Sequence, residues 1–217
     1  MRRWLTGILL VVALAALAFF ALAPGMIERG TNRIDGKPLP AVSERAKALH
    51  ATLTIVDLHS DTLLWKRDML DRATRGHMDL PRLQDGNVAL QILSSVTKSP
   101  KGQNYDANSG DTDNITSLVI AQLQPVRTWN SLLERSLWHA EKLHRAVAAS
   151  DGKLRAVATI ADLDALLAAR RGKPLTTGAL LSIEGLQNLG GKLANLDKLY
   201  AAGFRMAGLT HFFDNDL

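Results

Sequence analysis

Apolar residues fall in blocks along the chain, and the blocks differ in length and period. The longest comes first. Arg2-Arg3 precede an uncharged run from Trp4 to Ala23, about twenty residues or roughly 30 Å as a helix, which is enough to span a bilayer. Past Pro40 the apolar runs are shorter, and several end on polar side chains. Thr54-Ile55-Val56 is β-branched and apolar, reads as a short buried strand, and runs into Asp57-Leu58-His59-Ser60-Asp61. Asn87 to Val96 is nearly continuous in apolar residues, as a strand buried on both faces should be. Leu154 to Thr159 is a shorter strand candidate. Gly178 to Ile183 is a buried strand delivering Glu184, and Phe204 to Thr210 is a last strand delivering His211.

Helical periods fill the gaps. Ser43 is a candidate N-cap for a helix over Ala46 to Ala51, and Leu63 to Asp68 is predicted helical. Asp79-Leu80-Pro81 lies in a loop where Pro81 starts or ends an element. Ile115 to Ser150 is predicted mainly helical with a break at Pro125. Leu133, Leu137, Ala140, Leu143 and Val147 share one face of it, and His139 and His144, five apart, do not. Thr159 with Asp162 starts a helix that Gly172 and Pro174 stop, and Leu193, Leu196 and Leu199-Tyr200 pattern another that Gly203 closes. Alternation of strands and helices predicts an α/β fold with a parallel sheet and crossover helices.

Charge and composition change this picture little. The 217 residues carry a net charge of +5, with 26 Lys and Arg against 21 Asp and Glu. The basic residues are scattered, so no clustered face for nucleic acid is evident. There are no cysteines, which excludes disulfides, thiolate metal sites, a cysteine nucleophile and a lipid-modified cysteine. Any metal must be held by His, Asp or Glu. The first apolar run reads either as an uncleaved signal anchor or as a signal peptide cut after Ala21-Leu22-Ala23. Its length exceeds the usual signal core of about 7–15 residues, and Pro24 is unfavourable just after a cut, so the anchor is preferred. Both readings leave the arginines inside and the rest outside the cytoplasmic membrane. The chain then divides into residues 1–23 as anchor or signal peptide, 24–42 as a linker, and 43–217 as the enzyme-like domain. The expected location is a bacterial-type inner membrane with a periplasmic domain, or the periplasm or exterior if the segment is cleaved.

Three predicted strand ends carry chemistry: His59 and Asp61, Glu184, and His211. Side chains two apart on a strand share a face, so His59 and Asp61 can act together. In parallel α/β folds the C-terminal strand ends form the active face. Imidazole and carboxylate donors suit zinc and other first-row divalent metals. A glutamate can bridge two metals roughly 3.5–4 Å apart around a shared hydroxide, a centre that hydrolyses amides, esters or phosphoesters. A histidine such as His211 could stabilise the oxyanion. The loop with Asp106, Asn108, Asp111 and Asp113 superficially resembles a calcium loop. Its glycine falls one place early and Ser117 stands where Glu is needed, so it reads as a solvated loop.

The ordered segments Val56-Asp57-Leu58-His59-Ser60-Asp61, Asp79-Leu80-Pro81-Arg82 with Gly86, Ile183-Glu184-Gly185, and Leu199-Tyr200 through Gly203-Phe204-Arg205, Leu209-Thr210-His211 and Asn215 resemble the membrane (renal-type) dipeptidases, zinc peptidases of the M19 type. The resemblance covers about Ile55 to Leu217. It implies an incomplete TIM-like (β/α) barrel, about the first half, behind an N-terminal transmembrane or signal helix. It implies His59 and Asp61 on a first zinc, Glu184 bridging two zincs, and His211 contacting a dipeptide substrate and stabilising the tetrahedral intermediate. Ser60 and Leu186 depart from the family pattern at non-ligand positions. The family's second-zinc histidines, its acid/base aspartate and a substrate-binding arginine fall beyond Leu217. The expectation is therefore an N-terminal portion, inactive alone, with five strand candidates where a closed barrel needs eight. A homodimer is the assembly considered. The alternatives are another metal-dependent amidohydrolase, which more often carries His-x-His on the first strand, and a non-catalytic membrane-anchored remnant.

Overall fold

A computed structural model describes residues 2–172 and 175–216. In chain order the elements are α1 (Arg2–Thr31), α2 (Glu44–Ala51), β1 (Ile55–Asp57), α3 (Leu80–Asp85), β2 (Val88–Val96), α4 (Ile115–Ala121), α5 (Leu132–Ala149), β3 (Leu154–Ala156), α6 (Ile160–Gly172), β4 (Thr177–Glu184), α7 (Ala194–Ala201) and β5 (Phe204–Ala207). Short 3-10 turns occupy Thr62–Leu64, Val126–Thr128 and Leu186–Leu189. Local chemistry sets the helix starts. Ser43 accepts from Ala46 N, Asp79 from Arg82 N with Pro81 in the first turn, and Ser131 from Glu134 N. Thr159 and Asp162 form a reciprocal box ahead of α6, each side chain accepting from the other's backbone N–H. The predicted stop at Pro174 lies outside the described residues.

All strand pairs are parallel, and β2 and β4 form the centre of the sheet. Ser94 faces Ser182 across this pair, and Val96 faces Glu184. β1 flanks β2. The far edge of β4 is shared, with β3 along Thr177–Ala179 and β5 along Leu181–Ile183. Strand order therefore departs from the simple succession of a barrel, since β2 and β4 touch directly. The short β3 covers only the first part of the far edge of β4 and leaves the rest to β5. Arg205 Nε closes the junction by donating to Ala158 O at 2.8 Å. The main core lies between the sheet and α5, built on Leu93, Leu143, Leu154, Leu181, Leu189, Leu199 and Phe204. A smaller cluster of Leu90, Ile92, Val157 and Leu166 packs α6 on the sheet. The architecture is the expected α/β arc of a partial (β/α) barrel behind an apolar helix.

Three expectations are corrected. Helix α1 does not stop before Pro24 but continues to Thr31, so the connector begins at Asn32 rather than at residue 24. Tertiary partners hold this extension. Pro24 O accepts from Gln122 Nε2 at 3.1 Å, and the fully buried Glu28 pairs with Arg67 and Arg75, each at 2.6 Å. Helix was also expected over Leu63 to Asp68, where only the Thr62–Leu64 turn forms. Its backbone groups are taken elsewhere: Leu63 O and Trp65 O by Lys142 Nζ, Leu64 O by Gln124 Nε2, and Lys66 N by Gln122 Oε1. The last strand ends at Ala207, so His211 stands on a loop and not on the strand tip. That loop is laced to β4 by Gly208 N to Ile183 O at 2.9 Å and Leu186 N to Leu209 O at 3.1 Å.

Candidate metal centre

Two central features position the site. Asp57 ends β1, and its Oδ1 accepts from His59 N at 3.0 Å, a turn that swings the next residues over the sheet. Ser94 N on β2 then donates to Ser60 O at 2.9 Å and pins the segment carrying His59 and Asp61. Glu184 arrives at the C-terminal end of β4. Gly185 turns the chain at φ +79°, a conformation that favours glycine. A Cβ there would collide with Gln187 Oε1 and approach His211 Cβ to 2.8 Å.

His59, Asp61 and Glu184 converge, with one donor atom from each within 4.8 Å of the others. His59 Nε2 lies 2.9 Å from Glu184 Oε1 and 3.5 Å from Asp61 Oδ1. His211 Nε2 lies 3.0 Å from the other oxygen, Glu184 Oε2. Glu184 and His211 are mostly buried, at 16% side-chain exposure each, while His59 is open to solvent at 54%. The four residues anticipated from sequence are thus brought together, although His59 and Asp61 come from a turn beyond β1 and His211 from a loop.

The electrostatics fit a cation. Burial pushes the Asp61 carboxyl up to about 7, aided by the neighbouring Glu184 carboxylate and opposed by His59. Burial also acts to raise Glu184, but hydrogen bonding from His211 and Asp61 and the charges of both histidines outweigh it, so its carboxyl lies below the usual range. One proton placed on Asp61 therefore relieves the crowding of two carboxylates, and a dication can do the same. Asp61 Oδ1 and Glu184 Oε1 are both buried and both lie against His59 Nε2, at 3.5 and 2.9 Å, where a cation could take the place of the shared proton. An imidazole nitrogen and two carboxylate oxygens form a hard-to-borderline donor set that suits zinc.

Sequence reasoning missed the hydroxyls beneath the site. Ser94 Oγ sits 3.3 Å from His59 Nδ1 and 2.5 Å from Ser182 Oγ. Gln187 Nε2 donates to Glu184 O at 3.0 Å. The available signal was a pair of serines inside the largely apolar run of β2, matched by one in β4. The adjacent Ser95 points to the opposite face of the sheet and contacts the buried His139 at 2.8 Å, with Ser136 at 3.0 Å. His139 is therefore a packing residue, and His144 contacts Ala202 O at 3.0 Å, both away from the centre. In the acidic loop, Asp113 does not await calcium. It pairs with the buried Arg135 at 2.8 Å and accepts from Thr116 and Ile115 N at the start of α4.

Comparison with known proteins places this arrangement. No match was found among curated protein sequences. Among solved structures, a probable dipeptidase, PvdM, from Pseudomonas aeruginosa is 17% identical with a TM-score of 0.56, over 80% of this chain and 38% of its own. A metallopeptidase from Rhodobacter sphaeroides, liganded with a phosphinate mimic of the dipeptide L-Ala-D-Ala, is 19% identical with a TM-score of 0.53, over 76% of this chain and 47% of its own. A third, dipeptidase AC, a metallopeptidase of family M19, is 20% identical with a TM-score of 0.49, over 73% of this chain and 43% of its own. The chain thus spans less than half the length of these structures, and at such identities the first two speak for the fold alone. The sequence profile of the membrane dipeptidases matches residues 43–217, which contain every residue of the cluster, and the chain belongs to that family, peptidase family M19.

Proposed function

We propose that residues 43–217 carry the first-metal half of a zinc dipeptidase centre, in which His59 and Asp61 bind one zinc and Glu184 offers its second oxygen toward another. The observation that carries this is the convergence of His59 Nε2 with buried carboxylate oxygens of Asp61 and Glu184 in a chain of the M19 family. Zinc held there would supply Lewis acidity and make a bound water acidic enough to attack an amide near neutral pH. The chain's own groups do the rest. Glu184 is held on one side by His211, so its two oxygens are directed to different places. His211, on its laced loop at the rim, is placed to donate Nε2–H to a substrate oxygen once a metal takes over Glu184. A dipeptide is the proposed substrate class.

Helix α1 is proposed to be an uncleaved anchor holding the domain on the outer face of the cytoplasmic membrane. Its span from Arg3 to Thr31 contains an 18-residue stretch of mean hydropathy 2.7 and is long and apolar enough to cross a bilayer. Ala23 and Pro24, which flank the candidate cleavage point, are buried against the domain within a continuous helix. The 217 residues alone are proposed to bind metal without turning over dipeptide. The test is calorimetric zinc titration of the full chain in detergent, alongside an assay of L-Ala-D-Ala hydrolysis. Zinc binding that is lost in H59A and E184Q, without hydrolysis, is expected. Tight zinc binding unaffected by either substitution would contradict the assignment, and robust hydrolysis would contradict the inactivity.

A further inference from the structure

The two central strands place a polar pair where a barrel interior is ordinarily filled by Val, Ile and Leu. Ser94 and Ser182 are 3% and 6% exposed, and they face each other in register across β2 and β4. Their hydroxyl oxygens are 2.5 Å apart, and Ser94 Oγ is 3.3 Å from His59 Nδ1. Burying two hydroxyls in a sheet centre is costly unless their hydrogen bonds are used.

We propose that Ser182 and Ser94 form a hydroxyl relay that fixes His59 in the tautomer and orientation that metal binding requires. This rests on the zinc-site reading above. The donor directions follow from the geometry. His59 turns Nε2 toward Asp61 and Glu184, so Nε2 must present its lone pair to a cation and Nδ1 must carry the hydrogen. Nδ1–H donates to Ser94 Oγ, which leaves the Ser94 hydroxyl hydrogen to donate to Ser182 Oγ. Ser94 also donates its backbone N–H to Ser60 O at 2.9 Å, so one residue holds both the imidazole and the main chain that bears it. A pair serving only strand cohesion would need no histidine above it. Ser94 and Ser182 are positioning residues, acting on the metal through His59.

The test is zinc affinity of the full chain in detergent, by calorimetry, for native, S94A, S182A and H59A. Long-range 1H–15N spectra of the zinc-loaded chain report the His59 Nδ1–H and its hydrogen bond. Loss of a hydrogen bond to a ligating histidine lowers metal affinity by about 10- to 100-fold. Weakening of about 10-fold or more is expected for S94A, with a smaller loss for S182A. The native spectrum is expected to show a slowly exchanging Nδ1–H, and the S94A spectrum a rapidly exchanging one. Weaker zinc binding in S94A with the His59 Nδ1–H signal unchanged would mark a merely structural serine and overturn the relay. Unchanged affinity in S94A and S182A, where H59A abolishes binding, would overturn it while leaving the zinc site standing. Absence of zinc binding by the native chain would overturn both. Should S94A not fold, the S182A affinity and spectrum decide on the same terms.

Discussion

The histidine outside the centre makes the sharpest prediction about stability. His139 on α5 is fully buried, touches Ser95 Oγ with Nδ1, and has no hydrogen-bond partner at Nε2. Burial, reinforced by the positive charges of Lys142 and Arg135, lowers its pKa from an ordinary 6.5 to about 3. In the unfolded chain the ring is free to take a proton near its ordinary value. Between those two pKa values the unfolded state therefore binds more protons than the folded state, and stability must fall as the medium is acidified. The neutral ring's contribution is complete above about pH 6.5 and is lost progressively toward about pH 3. Going from about pH 7.5 to about pH 5 removes about 2 kcal/mol from this one residue, and the full descent removes about 5 kcal/mol. The assay is urea unfolding of the full chain in detergent at both pH values, for native and H139N. Asparagine keeps a polar atom near Ser95 but cannot titrate, so the native chain should lose about 2 kcal/mol more than H139N on acidification. The absolute stability of H139N at neutral pH does not enter, because only the difference between differences is read. Equal acid losses in the two proteins would refute the reasoning.

Other consequences follow from the same structure. Glu28→Ala leaves the buried Arg67 and its neighbour Arg75 without their shared carboxylate, which should cost about 3–5 kcal/mol and lower the thermal midpoint. The same change should free the end of α1, so trypsin should cut the connector after Arg33 faster than in the native chain. Gly185→Ala forces a side chain into a left-handed conformation and against Gln187 and His211, a cost of about 1–3 kcal/mol. Because Glu184 is the adjacent residue, zinc affinity in a calorimetric titration should fall along with the melting temperature. An alanine tolerated in both measurements would show that the turn is not constrained as described.

Much of this was legible in the chain because the signals were local. The apolar runs of β2 and β4, the cap at Ser43, and the Thr159–Asp162 box each state their own structure within a few residues. His59, Asp61 and Glu184 were legible because each follows a short apolar strand. The misreadings share a different cause, namely competition by distant partners. The segment after Thr62 has helical composition, but Lys142, Gln124 and Gln122, all far along the chain, take its backbone groups. Pro24 and Gly25 suggest a linker, yet a glutamate three residues on meets two arginines that no pattern connects to it. The shared edge of β4 was invisible for a similar reason, since strand neighbours depend on the length of β3. The serines under His59 read as ordinary small residues until the register set them opposite one another.

The central claim is that one imidazole and two carboxylates form a zinc site, and locating the ion tests it most directly. Crystals of the chain grown with zinc and measured on both sides of the zinc absorption edge should show an anomalous peak within about 2.0–2.2 Å of His59 Nε2 and of carboxylate oxygens from Asp61 and Glu184. A zinc peak bound elsewhere, with these three side chains still turned to one another and no ion between them, would contradict the account.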